Sequence, residues 1–200
     1  MTEYAVVPQV DRRTKAGKAE IEAFKAEHSE QTWIDETDFE TIKDMYEALM
    51  LNEDISKILT AEKRVEVPFF WVDEETGEEC KCKADIITEI DGVPFIIDYK
   101  TTTSCEDGAF ERSARKYGYR FHAGFYSEGI NMCTMEDHVF AFIAQEKTAP
   151  YMARLFICDE GFVNAGKREF HELLRKYHQC KETNEWKGYE TEYLYAEEYE

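Results

Sequence analysis

The chain has 200 residues, 43% of them hydrophobic and 14% aromatic, and a net charge of −19. That length suits one folded domain with a sizeable core, and the apolar content excludes a disordered chain. No apolar run approaches the roughly 18 residues of a membrane span, the start lacks a signal-peptide pattern, and the acidity disfavours broad electrostatic binding of nucleic acid.

In chain order, residues 1–60 read as helical. Lys15 to His28 is rich in Ala, Glu and Lys, Asp38 is a candidate cap for a helix bearing Ile42, Met45, Tyr46, Leu49 and Met50, and Asn52 to Thr60 adds a short helix. Three strands follow: Arg64 to Val72, Glu79 to Ile90 and Val93 to Lys100. Thr76-Gly77 and Asp91-Gly92 supply the hairpin turns between them. A helix from about Gly108 to Asn131 is interrupted by Gly118 and Gly124; glycine weakens a helix interior by roughly 1 kcal/mol, which makes Gly118 a candidate for a kink or break. Strands over 137–146 and 151–158 and a helix from Phe162 to Cys180 complete the order. The pattern predicts one α/β domain over 1–200, with a central mixed sheet flanked by helices. Residues 61–160 form its core, and 161–200 form a helix with an acidic tail.

The six cysteines are scattered, which predicts reduced thiols in a cytoplasmic protein. Cys80-x-Cys82 offers two ligands where zinc or an iron–sulfur cluster needs about four. The charge is uneven: seven acids oppose two lysines from Lys181 onward, whereas Arg112, Arg115, Lys116 and Arg120 lie in a stretch without an acid.

The candidate site is Asp98-Tyr99-Lys100, at the end of the apolar run Phe95-Ile96-Ile97. Side chains alternate along a strand, so Asp98 and Lys100 share a face. The Asp91-Gly92 turn is centred between Asp85 and Asp98, which sets these acids nearly opposite each other. Two adjacent carboxylates repel, and a divalent cation resolves the conflict; Mg²⁺ takes one or two carboxylates plus waters and phosphate oxygens. Lys100 then stabilises charge on a reacting phosphate, and the Tyr99 backbone carbonyl is a further ligand candidate. Two other acid-x-Lys triplets, at Glu79 and Glu185, lack a preceding buried strand and a facing acid. A surface ion pair at a strand end is the simpler alternative. Glu66, read as opposite in face to Val65, Val67, Phe69 and Trp71, is a weaker metal candidate.

On an unbroken helix, Arg115, Tyr119, His122 and Tyr126 fall in one stripe suited to phosphate contact and base stacking. A break at Gly118 removes Arg115 from it. His171 and His178 read as surface residues, and the tail tyrosines 189, 193, 195 and 199 as packing or mobile groups.

These motifs resemble the RecB-like branch of the PD-(D/E)xK nucleases, and more closely RecE-type phage exodeoxyribonucleases. The resemblance rests on Asp85 with Phe95 to Thr102, on Phe70 to Gly77, on Tyr117-Gly118-Tyr119 with Phe125-Tyr126, and on Asp11 to Lys18, spanning most of residues 4–165. It implies a Mg²⁺-dependent enzyme, with Mn²⁺ as a possible substitute, that degrades linear double-stranded DNA from 5′ ends in phage-type recombination. It also implies a ring-like homo-oligomer, a single-strand annealing partner, and a bacterial or phage source. Asp85 and Asp98 match the family's metal acids and Lys100 its catalytic lysine. Two features depart: the family's Gln, four before Tyr126, is His122 here, and an upstream block bearing a metal-assisting His is expected to be missing, since His28 has a different setting.

Overall fold

The computed structural model describes residues 4–193, so Tyr195 and Tyr199 lie outside the described residues. A five-stranded sheet of order β3-β4-β5-β6-β7 organises the chain. Its strands are Lys63–Val72 (β3), Glu79–Ile90 (β4), Val93–Thr102 (β5), Val139–Glu146 (β6) and Ala153–Ile157 (β7). Asp91 and Gly92 both adopt positive φ, 53° and 79°, as the two-residue turn between β4 and β5 requires. That turn sets the register Ile86–Ile97, Ile87–Ile96 and Ile90–Val93. β5 and β6 run parallel, so the chain between them crosses over through the helices Ala109–Lys116 (α4) and Tyr119–Thr134 (α5). The other neighbouring pairs in this sheet are antiparallel.

Each face of the sheet has its own core. Phe69, Trp71, Cys82, Ala84, Ile96, Phe140 and Phe142 face α4 and α5, meeting Phe110, Ala123 and Ile130. Ile86, Ile97, Ala141 and Ile143 face the opposite way, toward Leu49 of Glu36–Met50 (α2) and Ile55 and Ile58 of Glu53–Thr60 (α3). Each large side chain buried this way contributes roughly 1.5–3 kcal/mol. Glu160–Thr183 (α6) packs outside α5. The two helices approach closely: a Cβ at Gly124 would lie 2.2 Å from the Gly166 carbonyl carbon. Gly124 therefore serves packing, whereas Gly118, at φ 70°, separates α4 from α5.

Three features differ from the sequence expectations. The segment read as wholly helical also holds two short parallel strands, Tyr4–Val7 (β1) and Thr32–Asp35 (β2), joined through Lys15–Glu27 (α1). Asp35, not Asp38, stands at the N-cap of α2, and Asp38 lies in its first turn. The Asp35 carboxylate makes no capping bond there and pairs instead with Arg12. His171 and His178 are half-buried. His171 lies 3.6 Å from Asp73 and 3.5 Å from Glu128, and His178 bonds Glu78 at 2.8 Å, so both tie α6 to neighbouring elements. The Asp11–Lys18 segment starts α1: Thr14 accepts from the Gly17 amide, and Asp11 accepts from the Arg13 amide. All six cysteines are free, and no helix among the described residues is long and apolar enough to cross a membrane.

Candidate active site

The site forms where β4 and β5 part. Their ladder ends at Ile86–Ile97, one step short of the facing positions of Asp85 and Asp98. There the Asp85 carboxylate takes the place of backbone pairing, accepting the Tyr99 amide at 2.9 Å. β4 also changes face at this point: Cys82 and Ala84 join the core on the α5 side, yet Ile86, two residues beyond Ala84, joins the opposite core. On β3 the matching residue is Glu66, bracketed by the pairs Val65–Ile86 and Val67–Ala84 and held at φ 54°. A left-handed residue turns the strand locally and disrupts simple alternation.

Asp98 points toward α5 and is 2% exposed. The Lys100 ammonium is in ion-pair contact with its Oδ2, and His122 Nε2 lies 3.4 Å from Oδ1. Burial pushes the Asp98 carboxyl up to about 6, opposed by Lys100 and reinforced by Asp85. Burial, with Lys100 nearby, pushes the His122 imidazole down to about 4, so it is neutral at pH 7. A neutral imidazole can donate a hydrogen bond or ligate a cation. Tyr126 meets His122 edge-on at 4.0 Å between ring centroids. Tyr119 stacks on Phe142 at 5.4 Å, and Lys100 Nζ lies 5.5 Å from its ring centroid. Five sequence candidates thus converge: Asp98, Lys100, Tyr119, His122 and Tyr126. Asp85 closes the group at the strand gap.

Two candidates stand apart. Glu66 is ion-paired with Lys83 on the exposed surface. Among the described residues, no three His, Cys, Asp or Glu side chains group into a metal site, and the Glu66 carboxylate is engaged by Lys83. Arg115 leaves the stripe at the Gly118 break and instead lines a cleft of about 550 Å³ with Phe110, Phe142, Phe156 and Arg120. Arg120 is held there by Glu169 at 3.0 Å.

The donors still fit a hard divalent cation. His122 Nε2 is buried without a hydrogen-bond partner among the described residues, and Asp98 Oδ2 has Lys100 as its partner, which leaves the imidazole nitrogen for a further ligand. Asp85 and Asp98 supply two carboxylates. A strand residue presents its N–H and C=O on the same edge, so the Tyr99 carbonyl follows its amide toward Asp85. Mg²⁺ characteristically accepts such a sparse set of protein oxygens, keeping several waters.

Behind Tyr99 lies a residue that the sequence reading missed. Gln145 is completely buried and accepts from the Tyr99 hydroxyl at 2.6 Å. Its only sequence signal is a polar residue at the end of the apolar run Val139-Phe140-Ala141-Phe142-Ile143-Ala144.

The mixed sheet, the crossover helices and the acid–acid–lysine set at the strand gap define a PD-(D/E)xK-type core. The chain belongs to the family described as PDDEXK-like domain of unknown function (DUF3799), whose model matches residues 11–197. Comparison with curated proteins finds no match. Among solved structures, the chain is similar to a protein titled "Putative exonuclease" from Eubacterium rectale, at TM-score 0.58 and 17% identity. The match covers 85% of this chain and 64% of that protein, so this chain spans less than two thirds of its length. At that identity the likeness concerns the fold. The structure titled SSO0001 matches at TM-score 0.38 and 13% identity, over 64% of this chain and 59% of its own, and carries no weight here.

Proposed function

We propose that this chain is a metal-dependent deoxyribonuclease that hydrolyses phosphodiester bonds of linear double-stranded DNA. The observation that carries the reading is the meeting of Asp98, Lys100 and His122 beside Asp85, inside a PD-(D/E)xK-type fold. Asp85, Asp98 and the Tyr99 carbonyl would hold Mg²⁺, with Mn²⁺ as a substitute. When bound, such an ion lowers the pKa of a coordinated water and neutralises phosphate charge. Lys100 places its ammonium beside that centre, where it stabilises charge developing on the phosphate. His122, neutral at pH 7, orients Asp98 or a water next to it. Tyr119 and Tyr126 wall the site, limiting access of bulk water and giving a nucleotide ring surfaces to pass.

The 5′-to-3′ direction, a role in phage-type recombination, a ring-like homo-oligomer and a single-strand annealing partner are supported by the motif resemblance to RecE-type exodeoxyribonucleases. A cytoplasmic setting rests on the scattered cysteines and that same resemblance.

One observation favours a second reading. Glu66 is paired with Lys83, and among the described residues no three His, Cys, Asp or Glu side chains group into a metal site. A domain of this kind could bind nucleic acid or assemble with partners without cutting.

End-labelled linear duplex and closed-circular duplex, incubated with Mg²⁺ or EDTA, separate the readings. Mg²⁺-dependent release of nucleotides from linear DNA only, abolished in Asp98→Ala, supports the exonuclease. Binding without release supports the non-catalytic module, and release undiminished in Asp98→Ala contradicts the placement of the chemistry at Asp98.

A further inference from the structure

We infer that Gln145 is a positioning residue for the candidate metal centre, acting through Tyr99 from the opposite face of the sheet. The inference rests on the proposed metal role of Asp85 and extends it to a part of the molecule that no motif marks.

Gln145 lies near the end of β6, with no solvent exposure. Its Nε2 donates to the Met45 carbonyl of α2 at 2.8 Å and to the Tyr151 carbonyl, before β7, at 3.1 Å. A backbone carbonyl accepts and never donates, so these partners fix which end of the amide is nitrogen. Oε1 is then committed to Tyr99, whose hydroxyl donates at 2.6 Å. The amide therefore uses both its donors and its acceptor, and its orientation is determined by three separate elements. Tyr99 pairs with Ile143, and the tyrosine ring reaches diagonally along the same sheet face to Gln145.

The other side of Tyr99 is the candidate site. Its amide donates to Asp85 Oδ2 at 2.9 Å, and its carbonyl lies on the same edge of β5. β5 has lost its β4 partner at this point, so the ladder no longer holds Tyr99 from that side. Holding the phenol from behind supplies the missing restraint. The path Met45–Gln145–Tyr99–Asp85 thus connects α2 to the metal-facing carboxylate, and each link is a hydrogen bond of 2.6–2.9 Å. Groups that orient metal ligands commonly affect affinity 10- to 100-fold when removed.

The test uses the full chain as Tyr99→Phe, which deletes only the hydroxyl, and as Gln145→Leu. Thr88→Val serves as control, because it removes a comparable buried bond, to the Glu62 carbonyl, away from this path. Amide hydrogen exchange by NMR is the primary readout. Tyr99→Phe is expected to speed exchange of the residue-99 amide about tenfold or more. The Ile97 and Ile143 amides should stay within about twofold, and Thr88→Val should leave all three unchanged. Unaltered protection at residue 99, or equal acceleration of all three amides, overturns the proposal. Mn²⁺ titration is the second readout, with roughly tenfold weaker binding expected in Tyr99→Phe and Gln145→Leu but not in Thr88→Val. Equal Mn²⁺ affinity in wild type and Tyr99→Phe also overturns it. A wild-type chain that binds no Mn²⁺ instead overturns the metal reading of Asp85 and Asp98, and with it the role assigned to Gln145. Residue-99 exchange still reports whether the mechanical link from Gln145 exists.

Discussion

Asp85 and Asp98 occupy facing positions on β4 and β5, yet the ladder stops at Ile86–Ile97 and Asp85 turns its carboxylate onto the Tyr99 amide. One acid is thus tied to main chain at a strand gap, while the other is buried against Lys100 and His122. The two carboxylates have the same chemistry but different surroundings, and the differences are testable.

The buried Asp98 should cost stability at neutral pH when no metal is present. Its carboxyl rises from 3.8 to about 6 on folding, so the folded chain holds this proton more tightly than the unfolded chain. The resulting stabilisation is fully present below pH 3.8 and is lost as pH rises through about 6. Asp98→Asn removes that loss. In EDTA it should be more stable than wild type at pH 7.5 by roughly 1–3 kcal/mol, the upper end being two pH units at 1.36 kcal/mol each, less the unpaired Lys100. The gap should close toward pH 4 in urea denaturation. His122 works in the opposite sense: its folded value, about 4, lies below 6.5, so its contribution is present above pH 6.5 and lost as pH falls through about 4. It is common to both proteins. Equal stability at pH 7.5 would contradict the assignment.

His122 should matter as a polar neighbour of Asp98 and not as a charge. His122→Ala is expected to weaken Mn²⁺ affinity or cleavage about 10- to 100-fold. His122→Gln, which restores the residue type expected at this position from the motif resemblance, should recover most of the loss. Mn²⁺ titration and initial rates check this, and an Ala variant equal to wild type would exclude the role.

The close crossing of α5 and α6 predicts an asymmetry between two glycines. An added Cβ at Gly124 meets the Gly166 and Lys167 backbone at 2.2 Å, whereas at Gly118 it meets nothing within 4 Å and faces only the cost of positive φ. Gly124→Ala should destabilise by roughly 1–3 kcal/mol, after the helix-propensity gain of alanine offsets part of the clash. Gly118→Ala should cost about 1 kcal/mol. Thermal unfolding should place Gly124→Ala below Gly118→Ala by several degrees, and the reverse order would contradict the packing.

Much of the site was legible because hairpin arithmetic is reliable when the turn is unambiguous. Asp91-Gly92 fixes the β4–β5 register, and that register sets Asp85 opposite Asp98. Gly118 marked a candidate break, but whether Arg115 stayed in the stripe was left open by the sequence, and the break places it in a separate cleft. Other features carried too little local signal. β1 and β2 are four residues each, too short to show an alternation that outweighs their helical surroundings. Glu66 was read by simple strand alternation, which a left-handed residue breaks, and a glutamate, unlike glycine, asparagine or aspartate, does not advertise such a φ. The histidines of α6 looked exposed because their partners, Asp73, Glu78 and Glu128, lie about 40–100 positions away in sequence and are met only through tertiary packing. Gln145 was hidden for the same reason.

Metal binding and chemistry at Asp98 and Lys100 can be measured separately. Mn²⁺ titration and cleavage of end-labelled linear duplex are measured on wild type, Asp98→Ala and Lys100→Met. Lys100→Met should keep Mn²⁺ affinity within about tenfold while losing cleavage by roughly 10²-fold or more, and Asp98→Ala should lose both. Cleavage by Lys100→Met at the wild-type rate, or Mn²⁺ binding undiminished in Asp98→Ala, would contradict these roles.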